Sequence, residues 1–302
     1  MRSTGYWVAS HITGLFEIVD SEDLLFRGSR GAGFNIARGI ETRISVNNSS
    51  ENAIFFNNNL IPTNEAKVTD EVIALFFEKT GVKKRPLRIR HIFSVPMSSG
   101  FGASAGGALG TTFCLNDLFD TELTRKELFK IAHIAEAKHW CGLGDVLGLY
   151  ENSSTEIRVK PGAPGIGKTI SFRIEPGTRL FTCSFGQLRT SEVLKHPVHR
   201  QKIIEKGQVE IKKLLEAPSV DTFIAGCRSF SNFIGLYTER AIETVKIFEK
   251  EGLDEPAMIM LGDGLFIMTR DEKTLKYLTS DEQPFNFFKE EQLTNVTVRK
   301  LD

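Results

Sequence analysis

Two glycine-rich stretches of this chain could each cradle a phosphate. Gly162-Ala-Pro-Gly-Ile-Gly-Lys168-Thr169 satisfies the pattern G-x-x-x-x-G-K-[ST], in which Lys168 would face phosphates and Thr169 a magnesium ion. That chemistry needs a helix directly after the lysine, so that free N–H groups and the helix dipole meet the anion. Here Ile170, Phe172 and Ile174 alternate with polar residues as far as Pro176, so the segment reads as the turn of a hairpin spanning 155–175. The second stretch, Gly100-Phe-Gly102-Ala103-Ser104-Ala105, follows an alternating strand pattern over 87–95 and leads into an apolar helical run over 103–119. As G-x-G-x-x-A it also fits a dinucleotide turn. The acid wanted about 20 residues on would then be Asp117 or Asp120, in what reads as a helix end rather than the next strand. Taken from Pro96 as a phosphate loop, with Ser98, Ser99, Gly100, Gly102, Ala103, Ser104 and Ala105 around the anion, it offers close backbone approach and free helix N–H groups. The Ser104 hydroxyl could also reach a magnesium ion bridging ATP phosphates.

Phosphoryl transfer is mostly positioning and charge neutralisation, so beyond such a loop it needs a metal carboxylate and a group that orients or deprotonates the attacking hydroxyl. Glu136 lies in Ile131-Ala-His-Ile-Ala-Glu-Ala, a mostly apolar helical stretch where a lone carboxylate is costly unless paired or bound to a metal. Asp145 follows Gly142-Leu-Gly144, whose glycines permit close approach of a substrate. With the ordinary aspartate pKa of about 3.9 it would be ionised at neutral pH and able to take a proton. Each acid alone reads equally well as a solvent-facing residue or a cap. In combination with the loop, Ser104 and Glu136 become the candidate metal ligands and Asp145 the candidate base.

The elements that must position these residues form an α+β pattern. Short strands are expected within 15–26 and 40–57, and a helix capped by Thr63, with Val68, Val72, Ile73, Leu75 and Phe76 on its apolar face, is stopped by Gly81. After the phosphate loop and its helix comes a second helix over 124–139. Pro176-Gly177 marks the boundary between an N-terminal domain, 1–177, carrying the phosphate loop, and a C-terminal α+β domain, 178–302. The second domain opens on a strand from Arg179. Helices are expected at about 190–215, 219–236 and 238–251 and strands at 257–261, 264–269 and 295–300, with Phe223, Phe230 and Phe233 as core.

The run Pro96 to Ala105 resembles the P-x-x-x-G-L-G-S-S-A loop of the GHMP kinases, with Phe101 and Ala103 as departures and Ser104 as the surviving serine. A closer resemblance covers nearly the whole chain. Ser10-His11-Ile-Thr-Gly-Leu-Phe16, Gly28-Ser29-Arg30-Gly-Ala-Gly33, the Gly100 loop, Gly142-Leu-Gly-Asp145-Val146 and the Pro161–Gly165 turn are similar, in that order, to the archaeal pantoate kinase family. Ser10 stands where a proline is usual. The resemblance implies a two-domain GHMP-kinase-like fold with the active site in the cleft between the domains, and ATP and magnesium as cofactors. It implies phosphorylation of the 4-hydroxyl of pantoate to 4-phosphopantoate, in archaeal coenzyme A biosynthesis. In the resemblance, the helix glutamate is Glu136 on magnesium, the aspartate in the glycine turn is Asp145 as base, and a C-terminal glycine loop is Leu261-Gly262-Asp263-Gly264. Pantoate carries a carboxylate, two hydroxyls and a gem-dimethyl centre, so its site should offer a cation, hydrogen-bond donors and an apolar wall. Arg158 is the candidate for bidentate binding of the carboxylate, His11 and Thr190 for hydroxyl contacts, and Ser29 and Arg30 for the loop flanking phosphate or substrate. The alternatives are another GHMP-type kinase with a mevalonate- or homoserine-like substrate, and a dinucleotide-binding oxidoreductase. A regulatory protein on the same scaffold without catalysis is opposed by the presence of Glu136 and Asp145.

Composition narrows the partners. The 302 residues carry 38 Lys+Arg against 38 Asp+Glu, which leaves no broad positive field for a nucleic acid. The four cysteines, Cys114, Cys141, Cys183 and Cys227, show no metal or disulfide spacing. No stretch approaches the roughly 18 apolar residues of a membrane span, and the N-terminus lacks a signal-peptide run. A cytoplasmic protein is expected, acting on a small molecule, with a homodimer as a compatible assembly.

Overall fold

The computed structural model describes residues 2–188, 190–280 and 288–302, with the side chains of Thr190 and Ser191 outside that description. Two long strands, β1 (Ser3–Val19) and β2 (Gly28–Val46), form an antiparallel pair that runs the length of the first sheet. β3 (Ala53–Phe56), β4 (Asn59–Ile61), α1 (Lys67–Thr80) and β5 (Leu87–Phe93) follow. Then come α2 (Ala103–Phe119), α3 (Arg125–His139), the single turn α4 (Asp145–Gly148), and the hairpin β6 (Thr155–Lys160) and β7 (Lys168–Ile170). The second half comprises β8 (Arg179–Gly186), α5 (Thr190–Lys195), α6 (Pro197–Glu216), α7 (Val220–Ile234), α8 (Glu239–Lys250), β9 (Ala257–Met258), β10 (Asp263–Thr269), α9 (Glu272–Thr279), β11 (Lys289–Glu291) and β12 (Val298–Lys300).

The first sheet has the order β12-β1-β2-β5-β3-β4, with the β6–β7 hairpin added to β2 at its other end. The second sheet is β11-β8-β10-β9. It begins at Arg179, while β12 returns to pair with β1 through Tyr6, Trp7 and Val8. Among the described strands only β3 and β5 run parallel, and the helix between them is α1. The strand before the Gly100 loop therefore does not open a parallel βαβ unit through α2, and the dinucleotide reading loses its structural context.

The chain departs from the sequence expectations where burial hides the period. β1 is far longer than the expected strand at 15–26 because most of it is buried on both faces, so it shows no apolar–polar alternation. Leu24–Phe26 belong to a turn, closed by Phe26 N–H donating to Asp23 O at 3.0 Å. α1 begins at Lys67 rather than after Thr63, because Pro62 to Ala66 close on themselves through Glu65 N–H to Pro62 O at 2.9 Å. Pro197 starts a new helix and splits the expected helix 190–215 in two. Phe223 and Phe230 are core, whereas Phe233 is 41% exposed beneath the Lys206 ammonium.

Two cores flank the first sheet. One packs Val72, Phe76, Leu115 and Phe129 of α1–α3 against Ile44 and Ile89. The other joins Phe16 and Phe34 to Phe223, Phe230 and Phe266, and so carries residues from both sheets. α2 is apolar nearly all round and lies directly on β2, because Gly106 and Gly110 present no side chain toward it: a Cβ on Gly106 would meet Ile40 and one on Gly110 would meet Thr42. This seat delivers the N-terminus of α2 to the site.

Candidate active site

The phosphate-loop candidate forms the turn between β5 and α2. Gly102 is the N-cap of α2 in the left-handed conformation, φ 63°, and no side chain caps the helix, so the first-turn N–H groups are free to meet an anion. Gly100, φ 79°, has its Cα against the segment 259–262, where a Cβ would meet Met260 O at 2.6 Å. Gly262 in turn packs on Ser99 O, so the Leu261–Gly264 turn buttresses the loop. Ser98 lines the cavity that the loop borders, and so do Gly100, Gly102, Ala103 and Ser104. The Ser99 hydroxyl is buried and donates to Gly186 O at 2.7 Å and Met97 O at 3.1 Å. Its side chain therefore serves the loop, leaving only its backbone for a phosphate.

The two acids meet at Gly142. A Cβ there would meet both Glu136 Oε2 and Asp145 Oδ2, so only glycine leaves the space between the carboxylates open. Ser104 Oγ donates to Glu136 Oε1, while Glu136 Oε2 is buried without a partner. Burial first, and then the charge of Asp145, push the Glu136 pKa up to about 8 against the lowering effect of the Ser104 hydrogen bond. Asp145 opens α4 with its carboxylate only part-buried. Its pKa does not stay at the ordinary value: desolvation raises it, with His11 and Arg158 pulling against that rise.

Beyond Asp145, β1, β2 and β6 bring together a buried polar cluster. His11 Nδ1 donates to Asn35 Oδ1 at 2.9 Å, since the Asn35 amide nitrogen is spent on Gly148 O and Ser153 O. His11 Nε2 then accepts from Arg158 Nη1 at 3.0 Å, because a guanidinium can only donate. Arg158 also pairs with Glu156 Oε1 through Nη1 and reaches Thr13 Oγ1 at 3.2 Å through Nη2. Bidentate binding of a carboxylate by a free Arg158 fork is thus corrected: two of its nitrogens are already engaged, and Nε alone has no partner. Ser29 faces the cavity. Arg30, one residue on along β2, points to the opposite face and binds Glu17 Oε2 at 2.6 Å, which removes it from the cavity wall. Thr190 opens α5, and its side chain lies outside the described residues.

Ser29, Ser98, Ser104, Gly142, Asp145 and Arg158 line one cavity of about 370 Å³, with Glu136 and His11 behind them, bonded to Ser104 and Arg158. The N-terminus of α2 lines it too, as do Phe56, Lys67, Thr69 and Phe93. Lys67 and Thr69 carry no motif and were not foreseen. Glu156 was missed although its signal was present, since residues two apart on a strand share a face and it precedes Arg158 by two. Lys168 is exposed in β7 and is not part of the cavity wall. Lys168→Ala should leave nucleotide affinity within about twofold of wild type, measured by titration with a fluorescent ATP analogue. A loss of about 100-fold, about 2.7 kcal/mol, would restore it as a phosphate ligand.

Residues 67–151 match the family model of the GHMP kinases N terminal domain. Over 91% of this chain and 91% of the relative, the sequence is 34% identical to a pantoate kinase from Thermococcus kodakarensis. It is 30% identical to a pantoate kinase from Methanocaldococcus jannaschii over 87% of this chain and 91% of that one. A solved structure described as a phosphotransferase related to the CoA biosynthesis pathway superposes with a TM-score of 0.82 at 28% identity, covering 99% of this chain and 98% of the other.

Proposed function

The chain belongs to the pantoate kinase family, and we propose that its cavity transfers the γ-phosphoryl group of ATP to the 4-hydroxyl of pantoate, giving 4-phosphopantoate and ADP. The observation that carries the reading is the convergence of Ser104, Glu136 and Asp145 around Gly142 at the uncapped N-terminus of α2.

The residues fit a magnesium nucleotide. A buried carboxylate oxygen without a donor, on an acid pushed up to about 8, is the feature a divalent cation would relieve. Among the described residues no group of three or more His, Cys, Asp or Glu could hold a metal by itself. A cation held by Glu136 and the Ser104 hydroxyl would therefore fill its shell with phosphate oxygens and water, as magnesium commonly does. When bound, the magnesium nucleotide supplies the transferable phosphoryl group and neutralises charge on its oxygens. The free N–H groups at the start of α2 orient the phosphates. Asp145 Oδ2, the oxygen beside Gly142, accepts the proton of the attacking hydroxyl, and desolvation strengthens it as a proton acceptor. Ser29 and Arg158, which line the same cavity, orient the acceptor.

We further read 1–177 and 178–302 as two domains; the start of the second sheet at Arg179 supports this. Among the described residues no helix is long and apolar enough to cross a membrane, and the four free cysteines suit a reducing cytoplasm.

The substrate assignment is tested by following ADP release from ATP with pantoate, mevalonate, homoserine and galactose offered separately. Pantoate should exceed each of the others by at least about tenfold in kcat/KM, about 1.4 kcal/mol of transition-state binding. Turnover of mevalonate or homoserine without pantoate would overturn the acceptor while leaving a kinase.

A further inference from the structure

Beside the glycine turn, the two halves of the chain are fastened by a cluster of side chains outside the cavity wall. Trp140 is the C-cap of α3 in the left-handed conformation, φ 56°, and Cys141 and Gly142 follow it directly. Glycine takes that conformation at lower cost, so an indole at this position is explained by what it touches. Two guanidiniums lie over it: Arg27 Cζ is 4.7 Å and Arg200 Cζ 5.2 Å from the ring centroid. Asp20 holds one arginine on each oxygen, with Arg27 Nε donating to Oδ1 and Arg200 Nη2 to Oδ2, both at 2.9 Å. Arg27 Nη1 also donates to Ala137 O at 3.3 Å, in the last turn of α3. Asp20, Arg27 and Trp140 belong to the first half of the chain, whereas Arg200 stands in the first turn of α6.

α6 starts directly after α5, and Leu194 of α5 lines the cavity, as Gly142 and Asp145 do. The indole packs on the core that contains Leu143 of the glycine turn and Val193 and Leu194 of α5. Further along α6, Gln208 Nε2 donates to Glu17 Oε1 at 2.7 Å and Gly207 packs on Phe16 O. The body of α6 is thus docked on β1 without Arg200. What Arg200 adds is a tie between the α5–α6 corner and the turn that carries Asp145.

We infer that Arg200 is a positioning residue for phosphoryl transfer: clamped with Arg27 on Trp140 and Asp20, it holds α5 against the glycine turn, so that the acceptor hydroxyl reaches the phosphoryl group and water does not. With the clamp open, water takes the place of that hydroxyl at the γ-phosphorus. The bond to the bridging oxygen breaks as before, and ADP and inorganic phosphate leave instead of ADP and 4-phosphopantoate. Asp20 is 43% exposed and Arg200 25%, so the ion pair alone is weak. Lying over one indole and sharing one carboxylate, the two arginines are coupled. The inference rests on the kinase reading above, since it needs an acceptor that competes with water.

The test is Arg200→Ala, assayed for ADP and for 4-phosphopantoate in the same reaction. The kcat/KM for pantoate should fall about tenfold while the KM for ATP stays within about twofold. The ADP released per 4-phosphopantoate formed, equal in the wild type, should rise to about two or more. Trp7, the other of the two tryptophans, lies in β1 outside the cavity wall, so a Trp7→Phe background leaves Trp140 as the reporter. Its emission maximum should move to longer wavelength in Arg200→Ala. Asp20→Asn should cause a smaller loss, about threefold, and the double variant should be no worse than Arg200→Ala alone. A pantoate kcat/KM within about twofold of wild type with ADP and product still equal overturns the inference. So does a lower melting temperature with equal losses toward ATP and pantoate and no excess ADP, the pattern of a purely structural residue. If Arg200→Ala does not melt cooperatively, Arg200→Lys, which keeps the charge but not the planar group over the indole, should still release excess ADP, and its absence overturns the inference. Failure of the wild-type protein to use pantoate removes the acceptor assignment and this inference together, whereas normal wild-type turnover with an unaffected variant removes the inference alone.

Discussion

Asp145→Asn should lose roughly 10²–10⁴ in kcat with little change in pantoate affinity. The attacking hydroxyl is a weak acid, and an amide keeps the shape of the carboxylate while giving up its ability to take the proton. A capping role would predict the opposite pattern, lower stability with normal turnover. The structure speaks against that role, since the N-cap of α4 is Gly144 and no side chain caps the turn. Desolvation raises the Asp145 pKa on folding, so its charge costs stability and the neutral variant should melt no lower than wild type. Melting temperature and single-turnover rate on one sample decide the matter, and a folded Asp145→Asn with near wild-type turnover would move the base elsewhere.

Glu136→Gln should be nearly as damaging, with kcat down roughly 10²–10³ at ordinary magnesium concentrations, because a neutral amide cannot share the charge of the cation. It also changes how stability depends on pH. Folding raises the Glu136 pKa from 4.5 to about 8, so between those values the folded chain holds a proton that the unfolded chain has released. Metal-free wild-type protein should therefore lose stability as pH rises through that window, and Glu136→Gln should lose less. Magnesium competes with that proton, so its stabilisation of the wild type should be greater above pH 8 than below it. Thermal melts across pH in magnesium and in EDTA measure both effects. A magnesium shift that is equal in wild type and variant would remove Glu136 from the metal.

Much of this site was legible in the order of residues because its chemistry is local. The Gly100 loop stands where strand alternation gives way to helical spacing, and α2 runs over Ala103–Phe119, as that change of period predicts. Glu136 stood out as an acid in an apolar helical run, and it is buried. The acceptor wall is less legible because three strands far apart in sequence build it. His11, Ser29 and Arg158 come together only through the pairing of β1 with β2 and of β2 with β6. Arg158 was foreseen as a cation for a carboxylate, but no local pattern says that His11 and Thr13 already engage it. Arg30 is a different case. Strand period alone sends Ser29 and Arg30 to opposite faces, so its exclusion from the cavity could have been read before any coordinates.

The pairing of β12 with β1 bears on how this chain is made. β1 carries His11 and leaves the ribosome long before β12, yet part of its outer edge is closed by Val298–Lys300, with Ala9 N–H also donating to Thr297 O at 2.9 Å. Throughout elongation that edge offers unpaired N–H and C=O groups to any other nascent strand. The sheet that holds the acceptor wall is thus sealed only after the strands and helices between β2 and β12 have been made. A released chain shortened before residue 297 would keep every catalytic side chain named above while leaving β1 open to edge-to-edge association.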